Sequence, residues 1–244
     1  MSCGDLHSTL TALDGVEGWL SLDQVARLHA AARTVPGGGQ IVEIGSFRGR
    51  SAITLALAAP ADARITCIDP HLGSDRGPQE IQARPELGDE DIAVFEANLS
   101  AAGVRDRIRH VRAFSGEALD DVDGPIDVLF VDGAHRYGPA LDDLRRWGDR
   151  VRPGGTMLVH DSFSSIGVTG ALLRHLVLHR GWRYRGRARS LAVYERVANT
   201  PAAVLWQLAQ LPWLARNVVV KVLLVAGLGR AARWLGHRDG PWPY

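Results

Sequence analysis

Short apolar runs that end in glycine or aspartate alternate along the chain with segments of helical pattern, and this alternation most constrains the fold. Strands and helices that alternate in this way form parallel sheets covered by helices on both faces. The runs lack polar alternation, as is typical of strands that are buried on both sides. Five strands are predicted in this way, at residues 40–45, 64–69, 107–112, 126–132 and 156–160.

The segments 182–189 and 191–195 are expected to form a hairpin that closes the sheet with one antiparallel strand. The predicted fold class is therefore α/β, a Rossmann-like, doubly wound and mostly parallel sheet of seven strands. A first helix is expected at residues 22–34, with Ser21 as its N-cap. A helix at residues 137–147 is expected to pack its leucines on the sheet. Its charged residues, expected on the opposite face, are Asp142, Asp143, Arg145 and Arg146.

The chain of 244 residues is long enough for one α/β domain and short for two. We expect an N-terminal helical cap at residues 1–38, the Rossmann-like core at 39–196 and a helical appendage at 197–244. Within the core, the polar segment 71–90 follows the second strand and is rich in glycine and proline. Long insertions at this edge of a sheet are often lids over a ligand, so a lid is predicted there.

Composition excludes several classes of protein. The 28 basic and 27 acidic residues give a net charge of +1, which offers no basic field for a nucleic acid. Two distant cysteines, Cys3 and Cys67, provide no disulfide framework, so a cytoplasmic location is expected. The N-terminus lacks the pattern of a secretory signal. The charge-free stretch 197–215 contains prolines and amides, so no transmembrane segment is predicted.

The last 45 residues differ in composition from the core, with five basic residues and one acidic residue. Leucine and valine recur there at helical spacing between basic groups. Three interpretations are open: a helix packed on its own domain, a homodimer contact, and a peripheral helix on anionic lipid. Pro212, Gly227 and Gly229 interrupt the apolar face, which favours packing or a homodimer.

A glycine-containing turn between the first strand and the next helix predicts a cofactor site. Gly45 and Gly49 allow a sharp turn beside a helix N-terminus, and Asp69 ends the second strand. In this order the elements indicate an adenosine-containing cofactor, since such an acid commonly binds ribose hydroxyls. The spacing lacks the middle glycine that admits a pyrophosphate, which argues against a nicotinamide oxidoreductase. Glu43 instead suits a ligand with an amine or sulfonium, such as S-adenosylmethionine.

Several motifs together resemble one family. They are GWLS at 18–21, VEIGSFRGRSAITLA from 42, CIDP from 67, FVDGAHRYGPALDDL from 130 and RPGGTMLVHDSF from 152. The chain is similar over residues 16–196 to the class I S-adenosylmethionine-dependent methyltransferases that include metal-dependent sugar and natural-product O-methyltransferases.

The resemblance implies roles for individual residues. The glycine loop would hold the methionine part of the cofactor, the acid after the second strand its ribose, and a small polar residue after the third strand its adenine. The corresponding residues here are Glu43, Gly45, Gly49 and Ser51 for methionine, Asp69 for ribose and Ser115 for adenine.

The ends of the fourth and fifth strands are expected to carry the chemistry. Asp132 and Asp161 meet at the ligand-binding edge of a parallel sheet, where two carboxylates suit a divalent cation such as Mg²⁺. His135, three residues after Asp132, is suited to accept a proton at neutral pH. The resemblance gives Asp132 the role of a metal ligand and His135 that of a base. The predicted acceptor is a small hydroxylated molecule, a saccharide or glycoside, with a phenol or catechol as the alternative.

His160 departs from the family pattern, because metal-binding relatives often have an acidic residue at this place. Histidine is a weak ligand for Mg²⁺ and a better one for transition metals. Two interpretations therefore stay open: His160 as a third metal ligand, and His160 as a residue behind the ligands. A non-catalytic binding module on the same fold is a further alternative, which leaves the acids and His135 without a role.

Overall fold

The computed structural model describes residues 5–74 and 82–237. Four parallel strands of the centre, β1 (Gln40–Ile44), β2 (Arg64–Ile68), β4 (Ile126–Val131) and β5 (Val151–Val159), are joined on one side by β3 (Ile108–Val111). Every residue of β1 and β4 is buried, which accounts for their mostly apolar sequences, and the buried polar residues are Gln40, Glu43 and Asp127. On the other side β7 (Leu191–Glu195) pairs antiparallel with both β5 and β6 (Arg183–Ala188).

The seven strands lie in the order β3-β2-β1-β4-β5-β7-β6, with β7 as the antiparallel strand. This confirms the predicted α/β class and the Rossmann-like, mostly parallel sheet. The order reverses direction between β1 and β4, whose carboxyl ends therefore leave a crevice. Ligands of open α/β sheets bind at such a switch point.

Helices cover both faces of the sheet. The described helices are α1 (Leu6–Ala12), α2 (Leu22–Ala32), α3 (Arg50–Ala58), α4 (Pro85–Ala101), α5 (Tyr137–Arg146), α6 (Ile166–His175), α7 (Pro201–Leu208), α8 (Leu211–Val225) and α9 (Gly229–Trp234). One buried cluster, with Leu28, Ile53 and Phe95, lies under α2, α3 and α4. The other, with Leu144 and Leu172, lies under α5 and α6. The predicted cap of α2 is confirmed, because Ser21 and Gln24 form a capping box.

The fifth strand begins earlier than the sequence indicates. A strand is predicted at 156–160, after Pro153, Gly154 and Gly155, but β5 spans Val151–Val159 and includes these three residues. The partner of Ile126 is Val151 and that of Val128 is Thr156, so the proline and glycines form a bulge within the strand.

The predicted lid contains the start of a helix. Pro85 opens α4, so the last residues of the segment 71–90 are helical. Residues 75–81 of the segment lie outside the described residues, and the role as a lid stays a prediction.

By length and composition alone, one helical stretch of the described residues, Pro201–Val225, is apolar enough to cross a membrane. Only 11% of it is buried. The stretch is divided between α7 and α8, which begins with Leu211 and Pro212.

Candidate active site

The turn after β1 is fixed by its neighbours. Gly45 has φ of +85°, and a Cβ there would lie 2.1 Å from the carbonyl oxygen of Asp132, so a side chain is excluded at this position. Gly49 has φ of +90° and is the N-cap of α3. The two predicted glycines therefore have conformational and steric reasons to be glycine. The loop after β4 also lies directly against the turn after β1.

Asp69 connects the ends of β1 and β2. Its Oδ2 accepts hydrogen bonds from the backbone N–H of Ser46 at 2.8 Å and of Phe47 at 2.9 Å. Its Oδ1 accepts one from the N–H of His71 at 2.7 Å. A carboxylate has about four lone-pair sites, so capacity for another donor remains. The geometry thus gives Asp69 a second task, the ordering of the glycine turn, beside the predicted ribose contact.

Glu43 is a fully buried carboxyl group in β1. Burial is the largest cause that raises its pKa, to about 7, although hydrogen bonds from Cys67 and Ser51 lower it. The thiol of Cys67 donates to Glu43 Oε2 at 3.0 Å, while Oε1 and the hydroxyl of Ser46 are buried and lack a hydrogen-bond partner among the described residues. Buried polar groups of this kind normally have partners. The amine-bearing part of S-adenosylmethionine fits them, as the sequence predicts.

Ser115 lies beyond β3, where its hydroxyl donates to Asp143 of α5. Asp143 was expected to face solvent, and that expectation is wrong: its side chain is buried. Burial raises the pKa of Asp143 to about 6, against the opposing bond from Ser115. Helical periodicity predicts an exposed position for Asp143, because a charged side chain beside another charged residue is typical of a solvent-facing helix face. The pair places a carboxyl group beside the predicted adenine position.

The predicted catalytic residues come together at the ends of β4 and β5. Asp132, His135 and Asp161 each offer a ligand atom, and these atoms lie within 4.8 Å of one another. His135 Nε2 is 2.6 Å from Asp161 Oδ2. The three side chains are partly exposed, with 20%, 30% and 13% of their surface accessible. Two carboxylates and an imidazole at this separation fit a divalent cation.

His160 lies behind this cluster and is buried. Its Nδ1 is 2.8 Å from Asp132 Oδ1 and 3.7 Å from Asp161 Oδ2. It is not among the three residues whose ligand atoms lie within 4.8 Å of one another. This geometry favours the second interpretation left open above, in which His160 contacts a metal ligand. Its role as a ligand stays a prediction without support from the geometry.

Backbone strain concentrates at the same edge. Five described residues other than glycine have positive φ, and four of them follow the carboxyl ends of β1, β2 and β5: Phe47, His71, Asp161 and Phe163. Such conformations cost about 1–3 kcal/mol each and cluster at functional sites. The strained residues therefore lie at the carboxyl edge of the sheet, where the sequence predicts the functional site.

The N-terminal segment packs against the glycine turn. The ring of Trp19 lies 4.6 Å from that of Phe47 between centroids. Arg48 forms ion pairs with Glu17 and with the buried Asp91. The sequence indicates a helical cap here but not these contacts, because nothing in the local pattern shows which loops meet.

The fold and this site define an α/β domain with a nucleoside-cofactor turn beside an acidic cluster. Comparison with known proteins agrees: a family described as a methyltransferase domain matches residues 42–162. Residues 42–162 thus match a methyltransferase domain, and its fold is that of solved structures which bind S-adenosylmethionine or its product.

Three solved structures show the breadth of the likeness. Rv0187 from MTB, solved with its cofactor, has a TM-score of 0.58 at 21% identity, covering 80% of this chain and 90% of that one. The O-methyltransferase TomG from Streptomyces achromogenes, in complex with SAM, has a TM-score of 0.52 at 21% identity, with 80% and 89% covered. An O-methyltransferase from Bacillus cereus, in complex with SAH, gives 0.52 at 16%, with 79% and 90% covered. At these identities the likeness shows the fold.

The match to a curated relative covers a smaller part of both chains. The chain is 27% identical over 130 residues to the uncharacterized protein R132 of Acanthamoeba polyphaga mimivirus. The match covers 49% of this chain and 50% of that protein, so the chain spans about half the length of the curated relative it matches.

Proposed function

We propose that the protein transfers a methyl group from S-adenosylmethionine to a hydroxyl of a small acceptor, a saccharide or glycoside. The observation that carries this proposal is the cluster of Asp132, His135 and Asp161 directly beside the glycine turn. The contact between Gly45 and the loop after β4 brings a methyl donor on that turn next to this cluster. TomG and the Bacillus cereus protein, whose fold is similar, are O-methyltransferases.

S-adenosylmethionine supplies an electrophilic methyl group on a sulfonium. Transfer forms a carbon–oxygen bond, breaks the carbon–sulfur bond and releases the hydroxyl proton. His135 accepts that proton in our proposal. Its Nε2 lies 2.6 Å from Asp161 Oδ2, so Asp161 orients the ring. Alignment of the hydroxyl with the methyl group supplies much of the rate enhancement.

Asp132 and Asp161 would hold a divalent cation, with Mg²⁺ as the proposed ion. A cation there would lower the pKa of the acceptor hydroxyl and orient it. His160 fixes one of these carboxylates and His135 lies at hydrogen-bond distance from the other. Removal of divalent cations with EDTA should therefore reduce turnover and leave cofactor affinity unchanged. Full turnover in chelated enzyme would remove the cation and leave His135 and Asp161 as a metal-free proton-transfer pair.

A transfer assay tests the proposal as a whole. Enzyme and S-adenosylmethionine labelled in the methyl group are incubated with a panel of sugars and glycosides, and with phenols and catechols as the alternative acceptors. We expect label in a sugar hydroxyl. Label only in phenols would correct the acceptor class. A rise in melting temperature with NAD and none with S-adenosylmethionine would contradict the reaction itself.

Two finer expectations from the sequence have no test in the structure. A homodimer is expected from the composition of the tail, and a cytoplasmic location from the two distant cysteines. Light scattering measures the first. The exposed surface of the tail bears on both.

A further inference from the structure

The helices α7, α8 and α9 carry a set of exposed apolar side chains. The most exposed are Trp234 at 93%, Val225 at 81% and Leu205 at 68%. Further members are Trp206, Leu208, Val219, Val222, Leu228 and Leu235. We call this set the tail surface. Scattered single apolar residues are ordinary on a protein, but nine exposed apolar side chains between Leu205 and Leu235 are the kind of concentration that interaction sites show.

The opposite face of α8 already has its partner. Asn217 is buried and its amide donates to the carbonyl oxygen of Phe163 at 3.0 Å. Val220 is buried, and Trp213 packs on the core. At 3.6 residues per turn, Val219, Val222 and Val225 lie on the other side of the helix from these anchors. Packing of the tail on its own domain therefore leaves the tail surface exposed.

Charge decides what covers it. Between Thr200 and His237 the sequence has four basic residues and no acidic one: Arg216, Lys221, Arg230 and Arg233. A twofold dimer would place this surface against itself, with like charges facing and no acidic residue among the described residues of the tail between them. Anionic lipid headgroups complement basic residues around an apolar face, and tryptophan is favoured at such a boundary.

We propose that the tail surface binds the protein to an anionic lipid membrane, as a peripheral contact. The inner face of α8 packs on its own domain, and for the outer face this lipid contact takes the place of the homodimer interpretation. The prolines and glycines that interrupt a long span are compatible with three short helices lying on a surface. The proposal is independent of the methyl acceptor and of the metal.

Flotation with vesicles tests it. The full chain is mixed with vesicles of phosphatidylcholine alone or with one third phosphatidylglycerol, and the bound fraction is measured after centrifugation. We expect binding to the anionic vesicles and at least fivefold less to the neutral ones. The charge reversal Arg230→Glu should weaken binding by about fivefold. The matched control Arg33→Glu, at an exposed position on α2's end, should not change it.

An apolar pair completes the test. Trp234→Ser should reduce binding to anionic vesicles, whereas Leu178→Ser, at a position 84% exposed outside the tail, should not. Both positions are exposed, so neither change removes core packing, and melting curves verify folding. No binding to anionic vesicles would overturn the proposal. So would a concentration-dependent dimer that Trp234→Ser dissociates, because the tail surface would then face a second copy.

A buried series of hydrogen-bonded polar side chains lies behind Asp132. Gln24 Oε1 accepts from the N–H of Ser21 at 2.8 Å, and Gln24 Nε2 donates to Ser190 Oγ at 2.9 Å. Ser190 Oγ lies 3.5 Å from His160 Nε2, and His160 Nδ1 lies 2.8 Å from Asp132 Oδ1. Gln24, Ser190 and His160 are all buried.

The donors in this chain have one consistent order. Because Gln24 donates to Ser190, the hydroxyl hydrogen is available for His160 Nε2, which then accepts. The proton of a neutral ring is on Nδ1, and it is donated to Asp132. We infer that His160 is a positioning residue, which holds Asp132 for its work at the acceptor edge. The inference rests on the proposed function of Asp132.

Two amide variants separate the ring nitrogens. The side-chain amide of His160→Asn places a donor near Nδ1, and that of His160→Gln places one near Nε2. We expect His160→Ala and His160→Gln to lower kcat by about 10-fold to 100-fold, the usual cost of losing a group behind a metal ligand. His160→Asn should keep most of the wild-type kcat. The dissociation constant for Mn²⁺, measured by titration, should change in the same order.

A merely structural role would reduce stability without this order among the variants. Equal kcat and Mn²⁺ affinity for His160→Asn and His160→Gln would overturn the inference while wild-type methyl transfer leaves the proposed function standing. If the wild type transfers no methyl group and binds no Mn²⁺, the proposed function and this inference fail together.

Discussion

The two halves of the candidate site are held in different ways. At the ends of β1 and β2, one carboxylate, Asp69, accepts three backbone hydrogen bonds, and Gly45 is fixed by the main chain of the neighbouring loop. At the ends of β4 and β5 the functional residues contact one another through their side chains, His135 with Asp161 and His160 with Asp132. A cofactor cradle made of backbone is insensitive to many substitutions, while an acceptor site made of side chains changes with each one.

The largest effect is expected on the acceptor side. If His135 accepts the hydroxyl proton, His135→Ala should lower kcat by about 10²–10⁴-fold. The affinity for S-adenosylmethionine should stay the same, because the cofactor rests on the other half. Single-turnover transfer and calorimetry measure the two quantities, with His7→Ala as a control at an exposed histidine. Partial rescue of the variant by imidazole is also expected.

The contrast between the halves would break if His135→Ala weakened cofactor binding as strongly as it lowered kcat. The acceptor loop would then support the cofactor. Wild-type turnover of the variant on its true acceptor would remove His135 from the mechanism.

A smaller effect, mainly on cofactor affinity and not on kcat, is expected from Asp69→Ala. Loss of a charged hydrogen bond to ribose should weaken binding of S-adenosylmethionine about 10-fold to 100-fold. Because Asp69 also binds the N–H groups of Ser46 and Phe47, their hydrogen exchange should accelerate in the variant. At saturating cofactor, kcat should fall much less than in His135→Ala. The control Asp106→Ala changes an exposed aspartate and should leave all three measurements unchanged. An unaltered dissociation constant would reject this placement of the ribose.

The cofactor half could also be predicted further from the sequence than the acceptor half. Buried parallel strands are mostly apolar, so β1 and β4 are visible as runs. The glycines between β1 and α3 follow from local backbone needs. The meeting of Asp132, His135 and Asp161 follows from the rule that the carboxyl ends of parallel strands lie at one edge of the sheet. These parts depend on short-range patterns and on one topological rule.

Other parts depend on contacts that local patterns do not carry. The buried face of α4 consists of Gly88, Asp91, Phe95 and Leu99, so apolar periodicity shows only half of it. Asp143 is buried because Ser115 lies opposite, and His160 contacts Asp132 because β4 and β5 are neighbours. The sequence alone does not show which face of α8 is exposed. The structure shows it, because Asn217 on the inner face donates a hydrogen bond to the carbonyl oxygen of Phe163.

The smallest effect on cofactor binding, and the one with a pH signature, is expected at Glu43. Burial raises its pKa from 4.5 to about 7 in the folded protein. Between these values the native state keeps a proton that the unfolded state has lost. The free energy of unfolding therefore falls, through this group, as pH rises from 4.5 to 7 and is level above. The full change amounts to about 3 kcal/mol at ~1.4 kcal/mol per pKa unit.

Glu43→Gln should remove this slope, which denaturant unfolding at pH 5 and at pH 8 measures for both proteins. Burial raises the pKa of Asp143 in the same direction, to about 6, and that contribution remains in the variant, so the difference between the two proteins isolates Glu43. A cationic cofactor group would offset the cost of the buried carboxylate. Cofactor affinity of the wild type should thus increase with pH through 7, whereas the variant binds at most about tenfold more weakly at pH 8 and without that slope. Identical pH dependence of binding in both proteins would place the amine of the cofactor away from Glu43. The cofactor would then be held by the backbone turn and by Asp69, without Glu43.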